Sequence, residues 1–287
     1  MLLRATRHEV LLLIHGHEHF HSRSPSLSQT EVARLAHGCL AEVLKETALR
    51  CGGKILEQDG LLLVSGTHPC PIFVNSALCT GYMTAGEAFG RASKFFSNIG
   101  HEYEFWIREG EDDNLLAVAM RSDMRFSAEL RGMVLQEPPE VPQLLPGVEV
   151  RRVENLECFQ EFREIAAQGF RDEAPGCDDL VFSIFSDPAT VLAPDTSAFV
   201  VYVNDLPVST GLTMVKKDIA WIGWIATRPE ARGHGYGRLA TIAAVRAGFT
   251  LGGTLASLEA TRMGVPVYLR LGFREVLRYR NYWPVVA

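Results

Sequence analysis

Arg232-Gly-His-Gly-Tyr-Gly-Arg238 gathers three glycines and two arginines into seven consecutive residues. Glycines let successive backbone N–H groups converge on an anion, and the first turn of a following helix adds partial positive charge. The run follows an apolar stretch, 219–226, and precedes a helical pattern. A strand, a glycine-rich turn and a helix start in that order make a cradle for phosphate. Arg232 and Arg238 set cations beside it, so the chemistry indicated is capture of a diffusible, phosphate-bearing ligand.

A nucleotide loop of the form Gly-x4-Gly-Lys-Ser/Thr is excluded. It uses lysine to reach the terminal phosphates and a hydroxyl to hold magnesium, whereas Arg238 follows Gly237 and no hydroxyl comes next. A dinucleotide loop fits better. Gly235-Tyr-Gly237-Arg-Leu-Ala240 matches Gly-x-Gly-x-x-Gly/Ala, and Glu259 ends the next apolar run 22 residues after Gly237. Against it, the strands that precede the loop are joined by tight hairpins, where a doubly wound sheet requires helical crossovers. Only 28 residues follow Glu259, too few for the strand–helix units that complete such a sheet.

The elements that must position this loop are read from periodicity. In the second half, 148–153 alternates as a strand and 156–170 carries a helical apolar stripe. Strands at 198–203, 207–215 and 219–227 form a meander turned by Asn204-Asp205 and by Lys216-Lys217-Asp218. A helix over 237–247, a strand over 255–259 and a short helix near 264–271 follow. Gly272 falls where a left-handed helix cap is wanted, and a last strand covers 279–284. Trp221 and Trp224 are expected to face opposite sides of their strand, because three positions separate them. In the first half, a helix over 28–50, a hairpin around Asp59-Gly60 (54–58 and 61–65) and a third strand at 71–78 come first. A helix at 84–98, a strand at 102–107, a helix near 114–120 and a strand near Met133 complete it. The order of elements repeats between the halves, but the turn Cys79-Thr-Gly-Tyr-Met-Thr84 has one glycine and no arginine.

Pro138, Pro139, Pro142 and Pro146 exclude regular structure and mark a linker at 136–147. The expected organisation is a disordered tail (1–27), a first domain (28–135), the linker, and a second domain (148–287). The 287 residues suffice for two cores. A net charge of −6 argues against a nucleic-acid partner, and no apolar run reaches the roughly 20 residues that span a bilayer. Six cysteines without a CxxC pair are expected to be reduced thiols in a cytoplasmic protein. His15, His17, His19 and His21 alternate near the start; without Cys or Asp partners they make a poor cage, so no metal site is expected.

Arg232-x-x-Gly235-x-Gly237 on a strand-to-helix turn resembles the pyrophosphate-binding signature of the GNAT superfamily of N-acetyltransferases. Leu258-Glu-Ala-Thr261, then Val267-Tyr268-Leu-Arg-Leu-Gly272-Phe273, is similar to that superfamily's closing segment. The resemblance covers residues 148–287 and implies an α/β fold with a mixed, mostly antiparallel sheet flanked by helices. The two halves would be tandem domains, the first a degenerate copy without the cradle. It implies acetyl-CoA as co-substrate and a small-molecule or peptide amine as acceptor; the oligomeric state is left open, with a homodimer as the candidate.

Residue by residue, the resemblance places Ile225, Ala226 and Thr227 along the pantetheine arm, where the strand splays from its neighbour. Arg232, Gly233, His234, Gly235, Tyr236 and Gly237 would wrap the pyrophosphate, with Arg238 at the first helical turn. It implies direct attack of the amine on the thioester. Tyr268 would donate a proton to the leaving sulfur, as a phenol of pKa about 10 can to a thiolate of pKa about 8.5. Glu259 is the candidate base for the amine, directly or through water. A Tyr268 that only packs, and a Glu259 that is merely an exposed strand end, are the alternatives. Many relatives carry asparagine where this chain has Thr261. Asp172, Glu173, Asp178 and Asp179 fall where a cationic acceptor would be drawn in. The alternative function is a non-catalytic acyl-CoA sensor or scaffold, followed by a dinucleotide-binding oxidoreductase.

Overall fold

The computed structural model describes residues 27–171 and 179–284. The histidine-rich start and the acidic positions Asp172, Glu173 and Asp178 lie outside the described residues, whereas Asp179 is described and exposed. In chain order the first half runs α1 (Gln29–Arg50), β1 (Lys54–Gln58), β2 (Leu61–Ser65), β3 (Ser76–Cys79), α2 (Ala85–Ser97), β4 (Glu104–Arg108), α3 (Asp113–Ala119) and β5 (Arg125–Leu135). The second runs β6 (Val148–Arg152), α4 (Leu156–Phe170), α5 (Leu180–Ile184), β7 (Thr196–Val203), β8 (Leu206–Lys216), β9 (Ile219–Thr227), α6 (Tyr236–Thr250), β10 (Leu255–Ala260), α7 (Val265–Arg270) and β11 (Arg274–Trp283).

Local chemistry accounts for most of these boundaries. Ser28 and Glu31 form a reciprocal capping box at the start of α1. The turns at Asn204-Asp205 and Lys217-Asp218 hold two consecutive positive φ angles each, as a two-residue hairpin turn requires. Gly272 takes φ +92° and closes α7. The expected strand over 71–78 shrinks to Ser76–Cys79. Phe73 adopts φ +61°, and the Asn75 side chain donates to the carbonyls of His68 and Cys70 while accepting from Gly66 N–H. Those bonds fold 71–75 into a turn where a strand would need a neighbour's ladder.

Among the described residues eleven strands join one sheet in the order β1-β2-β3-β4-β11-β5-β10-β9-β8-β7-β6. It is mostly antiparallel; only β3–β4 and β9–β10 pair in parallel. β5 lies between β11 and β10, both from the second half, while β11 lies between β4 and β5, both from the first. Each half thus completes its sheet with the other half's last strand. Both exchanged strands are longer than expected from their own patterns, since their pairing partners are remote in sequence.

The helix α1 spans the join, packing across β2, β11, β5 and β9. Val32, Ala36, Cys39, Leu40, Val43 and Leu44 form its buried stripe. At its end Arg50 and Lys216 share Glu46 and Asp195, with N···O distances of 2.7–2.9 Å, which ties α1 to β8. Cys39, Cys51, Cys79 and Cys158 are free and buried, but Cys70 is disulfide-bonded, against the expectation of reduced thiols throughout. Among the described residues no helix is long and apolar enough to cross a membrane.

Residues 1–147 expressed alone leave β5 without its two neighbours. We expect this fragment to lack cooperative unfolding by circular dichroism and to aggregate through the exposed strand. A two-state transition in the isolated fragment would contradict the exchange as a stability requirement.

Candidate active site

The loop between β9 and α6 is shaped by its glycines. Gly233 and Gly235 take φ +83° and +85°, a conformation that costs other residues about 1–2 kcal/mol, and no neighbour would crowd a Cβ on either. Gly235 occupies the N-cap of α6 and offers no capping side chain, and the first turn of the helix holds no acidic residue. Its leading N–H groups therefore remain for a ligand. Gly237 packs close, a Cβ there falling 3.1 Å from Thr227 Oγ1. The corresponding turn of the first half is closed. Thr84 caps α2, accepting from Glu87 N–H and donating to the Glu87 carboxylate, which sets a negative charge where a phosphate would sit.

Arg232 braces this loop: its guanidinium donates to Thr227 O (3.3 Å) and Gly169 O (3.5 Å). His234 is exposed, stacks on Tyr236 at 5.7 Å and bonds the loop's own carbonyls, and Arg238 is exposed beside the first turn of the helix.

β9 and β10 pair only from Leu255↔Ile219 to Ser257↔Trp221 and then separate. Ile225, Ala226 and Thr227 lie on the separated arm of β9. A bulge accompanies the divergence, because Thr210 opposes Ala226 while Leu212 opposes Gly223. Trp224 sits in it at φ +54°, and Thr210 Oγ1 satisfies the Trp224 carbonyl at 3.0 Å. The added residue reverses the alternation, so Trp221 and Trp224 pack on the same side, in one cluster. The expectation that they face opposite sides is corrected by that one extra residue.

A cavity of about 1490 Å³ runs from the glycine loop through this divergence. That exceeds the roughly 300–1,000 Å³ of one ordinary small-ligand pocket, so it has room for two ligands. Glu259 lines it, held by a 2.8 Å hydrogen bond from Trp221 Nε1. Burial pushes its carboxyl up to about 7, with the indole bond opposing. Tyr268 lines the same cavity from α7, its ring edge-on to Phe273 at 5.8 Å and close against Gly264. Thr261 also lines it.

The opposite wall was not legible in the sequence. Ile72, Phe73 and Val74 line it from the β2–β3 turn, and Phe73 packs at a tilt on Trp224 (4.9 Å) and meets Phe170 edge-on (5.5 Å). Glu104, Ser127 and Trp283 line its far end. No local motif marks these residues; they meet only because β4, β11 and β5 are adjacent.

Residues 159–273 match the family model of the acetyltransferase (GNAT) family. The fold is similar to that of a GCN5-related N-acetyltransferase from Kribbella flavida, with a TM-score of 0.68 at 18% identity over 86% of this chain and 96% of that one. One from Sphaerobacter thermophilus gives 0.58 at 16% identity, covering 81% and 75%. A tandem GNAT protein from the clavulanic acid biosynthesis pathway gives 0.54 at 13% identity, covering 90% and 96%. No curated protein sequence matches. Residues 159–273, which hold the uncapped glycine loop and the parting of β9 from β10, are thus the part of the chain similar to the acetyltransferase (GNAT) family.

Proposed function

We propose that the protein is an acetyl-CoA-dependent N-acetyltransferase acting on a primary amine in a ternary complex. The observation that carries this reading is one cavity with an anion cradle at its mouth, a parted strand along its side, and a carboxyl poised near neutrality inside. The residues fit coenzyme A: the free N–H groups at Gly235 suit a pyrophosphate, and the separated arm at Ile225–Thr227 offers strand backbone to a pantetheine. Acetyl-CoA, when bound, supplies the acetyl group as a thioester.

The chain's own groups then divide the proton work. Glu259 accepts the proton that the ammonium must lose; a base near pKa 7 is ionised often enough at neutral pH and still basic enough to act. A backbone N–H beside the bulge at Trp224 polarises the acetyl carbonyl. Tyr268 Oη gives a proton to the departing sulfur. The first-half residues Phe73 and Glu104 complete the acceptor side, which gives the first half a role in binding without a cradle of its own.

Calorimetric titration with acetyl-CoA, with NAD as control, tests the cofactor, and release of free thiol in the presence of primary amines tests the transfer. Micromolar acetyl-CoA binding with amine-dependent thiol release is expected. Binding without any release would favour the sensor alternative, and binding of NAD alone would overturn the assignment. Tyr268→Phe is expected to lower kcat by about 10–100-fold with little change in the acetyl-CoA KM, in keeping with the lower part of the general-acid range. An unchanged kcat would remove Tyr268 from the chemistry.

A further inference from the structure

The cavity continues well past Glu259. Gly132 of β5 pairs with Glu259, and Ser127 lies five residues further along the same strand, roughly 16 Å away at the rise of an antiparallel strand. There Ser127 Oγ donates to Glu104 Oε1 at 2.6 Å. Glu104 is 4% exposed, yet it lines the cavity. Asn281, fully buried, and Trp283 Nε1 approach the same carboxylate, and neither the Asn281 amide nor the indole N–H meets hydrogen-bond geometry with any group.

No lysine or arginine pairs with Glu104 among the described residues. Arg125 lies over the Trp283 ring at 5.5 Å and Arg280 over the Phe126 ring at 5.3 Å. A carboxylate removed from water, with neutral donors and no counter-charge, is costly to bury unless something ionic completes it. Burial pushes its carboxyl up to about 7, with the Ser127 hydroxyl bond opposing. Between the two glutamates Leu40, Leu44, Trp106 and Leu130 supply apolar wall, and the charged Glu129 and Arg131 that also line the cavity are paired with Arg278 and Glu275.

We propose that the Glu104 carboxylate, with the unpartnered Asn281 Oδ1 and with Ser127 Oγ as further acceptors, binds a second cationic group of the acceptor, roughly 16 Å from the amine that Glu259 deprotonates. The acceptor class is an elongated diamine, with two ammonium ends and an apolar stem between them. This rests on the acetyl-transfer reading for the identity of the near end, but the far site is tested by binding alone.

Isothermal titration of wild type and Glu104→Gln with 1,12-diaminododecane and with dodecylamine separates the two. Wild type is expected to bind the diamine at least 10-fold more tightly than the monoamine. Glu104→Gln should abolish that preference while leaving acetyl-CoA affinity unchanged. Ser127→Ala, a milder change, should reduce it several-fold and serves if the first variant does not fold. Equal binding of the two amines by wild type, no binding of the diamine, or a preference that survives Glu104→Gln would each overturn the proposal. A preference with no acetyl transfer to any amine would overturn the transferase reading and uphold the distal site. Transfer with no preference would do the reverse.

Discussion

Replacing Glu259 by glutamine is expected to lower kcat/KM for the amine by about 10²–10⁴, the range of a lost general base. The pH profile should change with it. Glu259 must be ionised to accept a proton, so wild-type kcat/KM should rise with pH through a limb near 7, where burial sets its carboxyl. That limb should vanish in the variant, leaving the later rise due to the amine itself. Stability separates chemistry from folding. A carboxyl whose folded pKa lies above its unfolded value holds more protons when folded, so its contribution to stability falls as pH rises from about 4.5 to 7. At pH 8 the ionised group burdens the native state, and Glu259→Gln should leave Tm equal or higher. A variant of normal Tm and normal kcat/KM would assign the base elsewhere.

Gly235→Ala should weaken acetyl-CoA binding by about 10–100-fold. The residue holds φ +85° at the N-cap of α6, and a Cβ there imposes strain of about 1–2 kcal/mol. Relief of that strain would rotate the adjoining N–H groups away from the bound anion. Hydrogen bonds to charged groups are worth about 1.5–3 kcal/mol each, and each 1.4 kcal/mol is tenfold in affinity. No neighbour crowds the new methyl group, so the fold should survive with a modest fall in Tm. Gly100→Ala, at a positive-φ glycine of the first half that is also uncrowded, is the control for strain alone and should leave affinity unchanged. If Gly235→Ala binds acetyl-CoA as wild type does, the pyrophosphate does not lie on this helix.

The glycine loop, the meander that leads into it and the short helix bearing Tyr268 were legible because each is decided within a few residues. Positive φ at Gly235, paired turn residues at Asn204-Asp205 and the cap at Gly272 are local steric facts, and the hairpin between β1 and β2 falls at the residues its pattern marks. The facing of Trp224 was not legible. Alternation assumes a regular strand, and one bulged residue inverts it for everything beyond. The segment at 71–75 also misled, since its apolar residues satisfy a strand pattern that the Asn75 side chain overrides.

By itself, then, the sequence determined most of the elements and the glycine turn by short-range sterics and spacing, while the pair of residues proposed for proton transfer came from the resemblance of 258–261 and 267–273 to the superfamily's closing segment. Only the tertiary structure decided that β5 and β11 change places, and hence that Glu104 and Ser127 share a cavity with Glu259. It also decided that Glu259 has its carboxyl held near neutrality. Which strand lies beside which, and how far a carboxylate is removed from water, are properties of surfaces brought together from distant parts of the chain. Neither residue type nor spacing along a single segment contains that information.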